Sequence, residues 1–376
     1  MRSSVRSSLL ALVLVALAAC SADDPTADSV DTTTVASTTA VVETTAAPTT
    51  EPAPAVGEWE TITAPADCMC ADGGEYRYFI READPSRVLF FMEGGGACFD
   101  ARTCSPDSST FSRSPGDAES MPTAGIFDDS RPDNPFAGWT IVFVPYCTGD
   151  VHLGSATTDY GTGVVVEHKG FVNASTALAT MVERFPDAAQ VVVAGESAGS
   201  IPSPLFAGLA ADAYPSAQIT ALADGSGAYP DLPAINAVIG TYWGTMNAVP
   251  PWPVNEGMTV EQWSLPGLFV QAGLHAPRIV FARHDYAFDS TQVFFAGLAG
   301  IAADELVTLI DQNEAAIEAK GVDLLSYTSP GSSHTILARD IFYTQTVEGV
   351  LLVDWVTALL AGEPSGDVHC VECMAP

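Results

Sequence analysis

Lysine is nearly missing from this chain: Lys169 and Lys320 are the only two among 376 residues. Basic residues number 14 against 46 acidic ones, a formal net charge of -32. A surface so poor in positive charge repels nucleic acid and anionic membranes, which excludes phosphate-tracking roles. Such acidity bears on solubility and self-repulsion, not on fold. Histidine is also scarce, with six in all, so a proton-transferring base has few candidates. No internal repeat is present, which argues against a solenoid. No apolar run reaches the length of a confident membrane span. What is abundant is apolar residue, at 47%, enough for one large core or two modest ones.

From about Gly57 onward, strand and helix patterns alternate. Glu75 to Arg81 places Tyr76, Tyr78 and Ile80 at every second position, a half-exposed strand. Continuous apolar runs follow at Arg87–Met92, Thr140–Val144, Val191–Ala194, Ile219–Ala223, Arg278–Ala282 and Asp323–Tyr327. Such runs mark strands buried on both faces. Between them, Leu178, Met181, Val182 and Phe185 share a helical face, as do Leu306, Leu309, Ile310 and Ile317. Val347, Val350, Leu351, Ala358 and Leu359 predict a closing helix. Alternation of this kind predicts crossovers and a mostly parallel sheet with helices on both faces. Ala97–Asn134 and Tyr229–Pro266 lack the rhythm and read as loop insertions above the sheet, where a pocket wall would form.

Gly195-Glu196-Ser197-Ala198-Gly199 follows one of these strands, and small residues open the next helix. That is a nucleophile elbow in its strand–turn–helix setting, the mark of an α/β-hydrolase fold. The competing interpretation is a Gly-rich turn whose serine caps a helix. A serine hydroxyl needs a base, and the base needs an anion to orient it. In this architecture acid and then histidine follow the serine. The late histidines are His275, His284, His334 and His369. His334 follows a strand in a Pro-Gly-Ser-Ser loop, and His284 stands beside Asp285. Asp285, Asp289 and Asp224 are the candidate acids; Asp289 is favoured because Tyr286–Phe288 would lift it above the sheet. Gly94-Gly95-Gly96 ends another strand, and glycine lets backbone N–H groups approach a ligand. With the amide of Ala198 this makes an oxyanion hole in such a fold.

Met92–Cys98 with Cys104, Asn134-Pro135 followed by Trp139 and Pro145–Asp150, Gly195–Gly199, Ala287–Gln292 and Ser333–Thr335 occur in order. Together they resemble the sequence blocks of the pectin acetylesterase and Notum carboxylesterase family. The resemblance implies Ser197 as nucleophile, His334 as base and Asp289 as orienting acid, with Gly95, Gly96 and Ala198 as oxyanion donors. It implies an ester substrate, no metal and no organic cofactor. The chain departs from the family at Glu196, often cysteine there, at Ser200, often glycine, and near Ala97, where an aromatic often lines the pocket mouth. The expected activity is deacylation, of an acetyl group on a carbohydrate or similar ester. Two alternatives stay open: hydrolysis of a lipid or polyester acyl chain by the same triad, and a non-catalytic surface protein on a hydrolase scaffold. A monomer is expected.

The N-terminus reads as an export signal. Arg2 and Arg6 precede the apolar Leu9–Ala16, and Leu17-Ala18-Ala19-Cys20 resembles a bacterial lipobox. The expected organisation is a signal peptide over 1–19, a disordered Thr/Ala/Pro-rich tether over 20–57 and a catalytic domain over 58–376. The protein is then exported, held at the membrane only through lipid on Cys20 and facing the extracytoplasmic side, or else secreted. Eight cysteines fit an oxidising compartment. Cys98 and Cys104 are expected to bridge a loop. Cys68 and Cys70 are expected to staple the start to Cys370 and Cys373 near the end, with a zinc site beside His369 as the alternative. Mass spectrometry of the mature N-terminus should find a chain starting at lipid-modified Cys20; an unmodified start beyond it would refute the anchor.

Overall fold

The computed structural model describes residues 55–371 and Cys373. The signal peptide, Cys20 and almost all of the tether lie outside the described residues. One nine-stranded sheet organises the rest. Its strands are β1 (Glu60–Thr63), β2 (Arg77–Arg81), β3 (Asp84–Met92) and β4 (Trp139–Val144). After the small antiparallel pair β5 (Ala156–Asp159) and β6 (Val165–His168), it resumes with β7 (Gln190–Glu196), β8 (Gln218–Asp224), β9 (Val280–Tyr286) and β10 (Leu324–Ser329). A hairpin, β11 (Thr346–Val347) and β12 (Val350–Leu351), precedes the last edge strand, β13 (Val368–His369).

The sheet order is β1-β2-β4-β3-β7-β8-β9-β10-β13. Every pair from β4 to β13 is parallel; only β1 and β2 run against their neighbours. Parallel neighbours need crossovers; helices lie in all of them except the one from β3 to β4, which is irregular chain with two short 3-10 turns. The helices are α1 (Gly170–Arg184), α2 (Ser203–Ala213), α3 (Pro233–Trp243), α4 (Gly267–His275), α5 (Ser290–Leu298), α6 (Leu306–Glu318) and α7 (Leu352–Leu360).

Alternation along each strand divides the core in two. Phe90, Val191, Val193 and Ile219 meet Met181 of α1, Phe206 of α2 and Phe269 of α4. Leu89, Phe91, Val192 and Leu222 face the opposite way, toward Trp355, Val356 and Leu359 of α7. Both faces are therefore apolar, as the continuous runs predicted. This is the α/β-hydrolase arrangement, with helices on both faces and irregular chain above the sheet's C-terminal edge. No single described helix is long and apolar enough to cross a membrane.

Three expectations need correction. Val347 and Val350 are not helical: Glu348 and Gly349 take positive φ and turn β11 into β12, so α7 starts at Leu352. Their spacing mimicked a helical face because a tight hairpin also brings i and i+3 together. The stretch 229–266 is not all loop, since α3 lies within it. The cysteines do not staple the two ends together. Cys98–Cys104 forms as expected, but Cys70 bridges to Cys147 and Cys370 to Cys373, leaving buried Cys68 free. The Cys370–Cys373 bond also consumes the thiols a zinc site would need.

The Cys70–Cys147 bridge closes 77 residues of chain, so it constrains the unfolded state strongly. Replacing both cysteines with serine should lower unfolding free energy by about 3–4 kcal/mol. Denaturant titration under oxidising conditions measures this, and an unchanged midpoint would contradict it.

Candidate active site

At the end of β7 the chain turns so sharply that no side chain fits beside the serine. A Cβ on Gly195 would overlap the carbonyl of Gly199, and one on Gly199 the carbonyl of Met92. Ser197 itself sits at φ 54, a left-handed conformation that costs a non-glycine residue about 1–3 kcal/mol. Its carbonyl accepts bonds from Ser200 N and Ser200 Oγ, which hold the turn closed. Ser197 begins a 3-10 turn, Ser197–Gly199, before α2, and it does not cap that turn: the capping position is Glu196.

Asp289 caps the N-terminus of α5. Its Oδ1 accepts the N–H groups of Thr291 and Gln292 at 2.8 and 3.0 Å. Its Oδ2 accepts Nε2–H of Gln292 at 3.1 Å and Nδ1–H of His334 at 2.6 Å. The carboxylate is fully buried, while the His334 side chain is 18% exposed. Three backbone bonds join the loop that carries Asp289 to the loop that carries His334: Ala287 N to Ser329 O, Phe288 N to Gly331 O, and Ser290 N to Ser332 O. Bonding at Nδ1 leaves Nε2 of His334 as the free ring nitrogen, and it has no hydrogen-bond partner, Ser197 included.

The structure sorts the remaining candidates. His284 and Asp224 bond to each other, wholly buried in the sheet. Asp285 is an ion-pair partner of Arg283 at 2.7 Å. His275 stacks on Trp252 and bonds to Asp212, and His369 lies 3.6 Å from Glu314. The glycine loop stands beside the elbow. Gly96 takes φ 79, and a Cβ there would overlap the carbonyl of Thr110. Among the described residues, the N–H groups of Gly95 and Gly96 donate to no protein acceptor. Gly96, Ser197 and Ala198 together line one end of a cavity of about 400 Å³. Phe99, Ile201, Val238, Trp243, Trp263 and Phe295 form much of its wall. The sequence signal for this wall was the aromatic, nearly uncharged insertion over 229–266.

The sequence singled out Glu196 without a role and gave none to Gln292, Glu93 or His152. Gln292 spans the carboxylates of Asp289 and Asp285 through one amide. Glu196 accepts Thr335 Oγ–H at 3.2 Å, tying the elbow to the loop that carries His334. Burial raises the Glu196 carboxyl above its ordinary range, and the charge of Asp224 adds to this. Glu93, before the glycine loop, accepts the N–H of Tyr146 at 3.0 Å. Burial pushes its carboxyl up to about 7, with Glu196 reinforcing and the Tyr146 N–H opposing. Behind them, burial pushes His152 down to about 4, and its Nε2–H donates to the carbonyl of Glu93 at 2.9 Å.

Comparison with known proteins places these features in context. A family model described as pectinacetylesterase matches residues 53–245, just over half the chain. Palmitoleoyl-protein carboxylesterase notum2 of Xenopus laevis is 32% identical over 138 residues, 35% of this chain and 27% of that protein. Xenopus laevis notum1, of the same description, is 30% identical over 167 residues, 41% of this chain and 34% of that protein. A zebrafish (Danio rerio) relative, described as inactive palmitoleoyl-protein carboxylesterase notum1b, is 36% identical over 110 residues, 28% of this chain and 76% of that protein. The match thus spans about a third or less of the two frog proteins.

The Glu93 carboxyl ordinarily ionises near 4.5, so folding raises its proton affinity. Its contribution to stability is greatest at low pH and is lost as pH rises from about 4.5 through about 7. Glu93→Gln keeps an acceptor for Tyr146 and removes the buried charge. Its stability relative to the parent should improve by about 2–3 kcal/mol between pH 5 and pH 8. Denaturation at both pH values measures the gap, and a constant gap would contradict the assignment.

Proposed function

The chain belongs to the pectinacetylesterase family, and from that premise we propose that it is a serine carboxylesterase with Ser197 as nucleophile, His334 as base and Asp289 as orienting acid. The observation that carries this reading is the bond from His334 to the buried Asp289 carboxylate beside a strained serine elbow. In the proposed cycle, Ser197 Oγ attacks the ester carbonyl carbon and passes its proton to Nε2 of His334. The carbonyl oxygen becomes an oxyanion, held by the N–H groups of Gly95, Gly96 and Ala198. The tetrahedral intermediate collapses, the C–O bond to the alcohol breaks, and His334 returns the proton to the leaving oxygen. Water then attacks the acyl-enzyme with His334 again as base, releasing the acid and restoring Ser197. Asp289 holds the imidazole by its Nδ1–H and supports the imidazolium.

The cavity favours an apolar acyl chain over an acetyl group as substrate. An acetyl group displaces about two or three waters, roughly 60–90 Å³, against a cavity of about 400 Å³ walled by aliphatic and aromatic side chains. Each methylene buried there contributes about 0.8 kcal/mol. The frog relatives are described as acting on a palmitoleoyl-protein, which agrees with a long acyl group. The zebrafish relative described as inactive makes a direct test of turnover necessary.

Ser197→Ala should abolish p-nitrophenol release from p-nitrophenyl esters, and retained turnover would exclude the mechanism. Across an acyl series, kcat/KM should rise about fourfold per buried methylene, so that butanoyl exceeds acetyl by about tenfold and octanoyl by about 10³-fold. A preference for acetyl would restore the carbohydrate-deacetylating reading. No turnover of any ester by the folded parent would favour the binding protein.

A further inference from the structure

We propose that the buried chain Ser329–His284–Asp224 positions the catalytic base, by clamping both feet of the loop that carries His334. The proposal rests on the triad reading above and adds a second Ser–His–Asp set with a different task. Asp224 ends β8, His284 lies across from it in β9, and Ser329 ends β10. His284 Nδ1 donates to Asp224 Oδ1 at 2.8 Å, and Nε2 lies 3.0 Å from Ser329 Oγ, whose O–H donates to it when the ring proton is on Nδ1. These distances resemble a hydrolytic triad. All three residues are, however, wholly buried and none lines the cavity, so this serine cannot meet a substrate.

The other carboxylate oxygen shows what the set does. Asp224 Oδ2 accepts the backbone N–H groups of Ile336 and Leu337 at 2.8 and 2.9 Å. The base loop therefore leaves the sheet at Ser329, which bonds to His284, and returns at Ile336 and Leu337, which bond to Asp224. His334 stands two residues before the returning foot. Between the feet, Thr335 is tied to Glu196 beside the nucleophile. A displacement of about 1 Å in a catalytic group can cost about a hundredfold in rate. The bond His334 needs to Asp289 would survive such a shift poorly, since the other partners of Asp289 are fixed to α5.

The variants separate positioning from plain structure. Asp224→Ala removes both acceptors; Asp224→Asn keeps one oxygen for the two amides, and its NH2 can donate to His284 Nδ1 once that ring switches tautomer. Asp224→Ala should lower kcat about a hundredfold with KM within twofold, and Asp224→Asn should recover most of that loss. Ser329→Ala, which leaves no buried charge, should lower kcat about three- to tenfold and serves if Asp224→Ala does not fold. Circular dichroism establishes which variants fold. Wild-type kcat in the folded Asp224→Ala or Ser329→Ala variant would overturn the proposal, as would a loss that appears in KM alone. Ser197→Ala and His334→Ala run alongside: activity in these would sink the triad reading itself, whereas their inactivity with normal Asp224 and Ser329 variants would sink only this inference.

Discussion

A fully buried carboxylate, with no lysine or arginine beside it among the described residues, is the constraint around which this site is built. Asp289 is held by N–H groups alone: two from the first turn of α5, one from Gln292 and one from His334. Leaving any of these unmade would strand a buried acceptor, at about 1–3 kcal/mol or more for a charged group. The helix start, the acid loop and the imidazole are thereby forced into one arrangement. The orientation of the His334 ring follows from the need to satisfy the Asp289 carboxylate.

The same edge of the sheet carries more buried carboxylates, each accommodated differently. Asp285 faces Arg283, with Gly227 N and Gln292 as further donors. Asp224 collects His284 and two loop amides. Glu93 has one amide donor, and burial raises its carboxyl to about 7. Polar groups thus concentrate on the strand ends, where they fix loops. The cavity opposite is almost wholly apolar. That division is what the proposed esterase would use: polar, hydrogen-bonded strand ends for proton transfer and an apolar cavity for the acyl group.

Much of this was legible in the sequence, for identifiable reasons. Strands buried on both faces show as unbroken apolar runs, so β3, β4, β7, β8 and β10 were visible. The elbow was visible because its glycines are sterically required. The preference for Asp289 over Asp224 and Asp285, and for His334 over His284, had less in the sequence to rest on. All stand near strand ends, and the difference lies in partners distant in sequence: Arg283 for Asp285, Asp224 for His284. Helices α3, α4 and α5 escaped notice because they are short and apolar around most of their circumference, which erases the 3.6-residue period. The Cys70–Cys147 bridge follows from strand placement, which spacing does not encode.

The central claim is that Ser197 gains its reactivity from His334 and Asp289. Reaction with a fluorophosphonate, followed by peptide mass mapping, tests it most directly. The account predicts one adduct, on the peptide containing Ser197, and its loss in His334→Ala. An adduct on another residue, or undiminished labelling of Ser197 without His334, would contradict it.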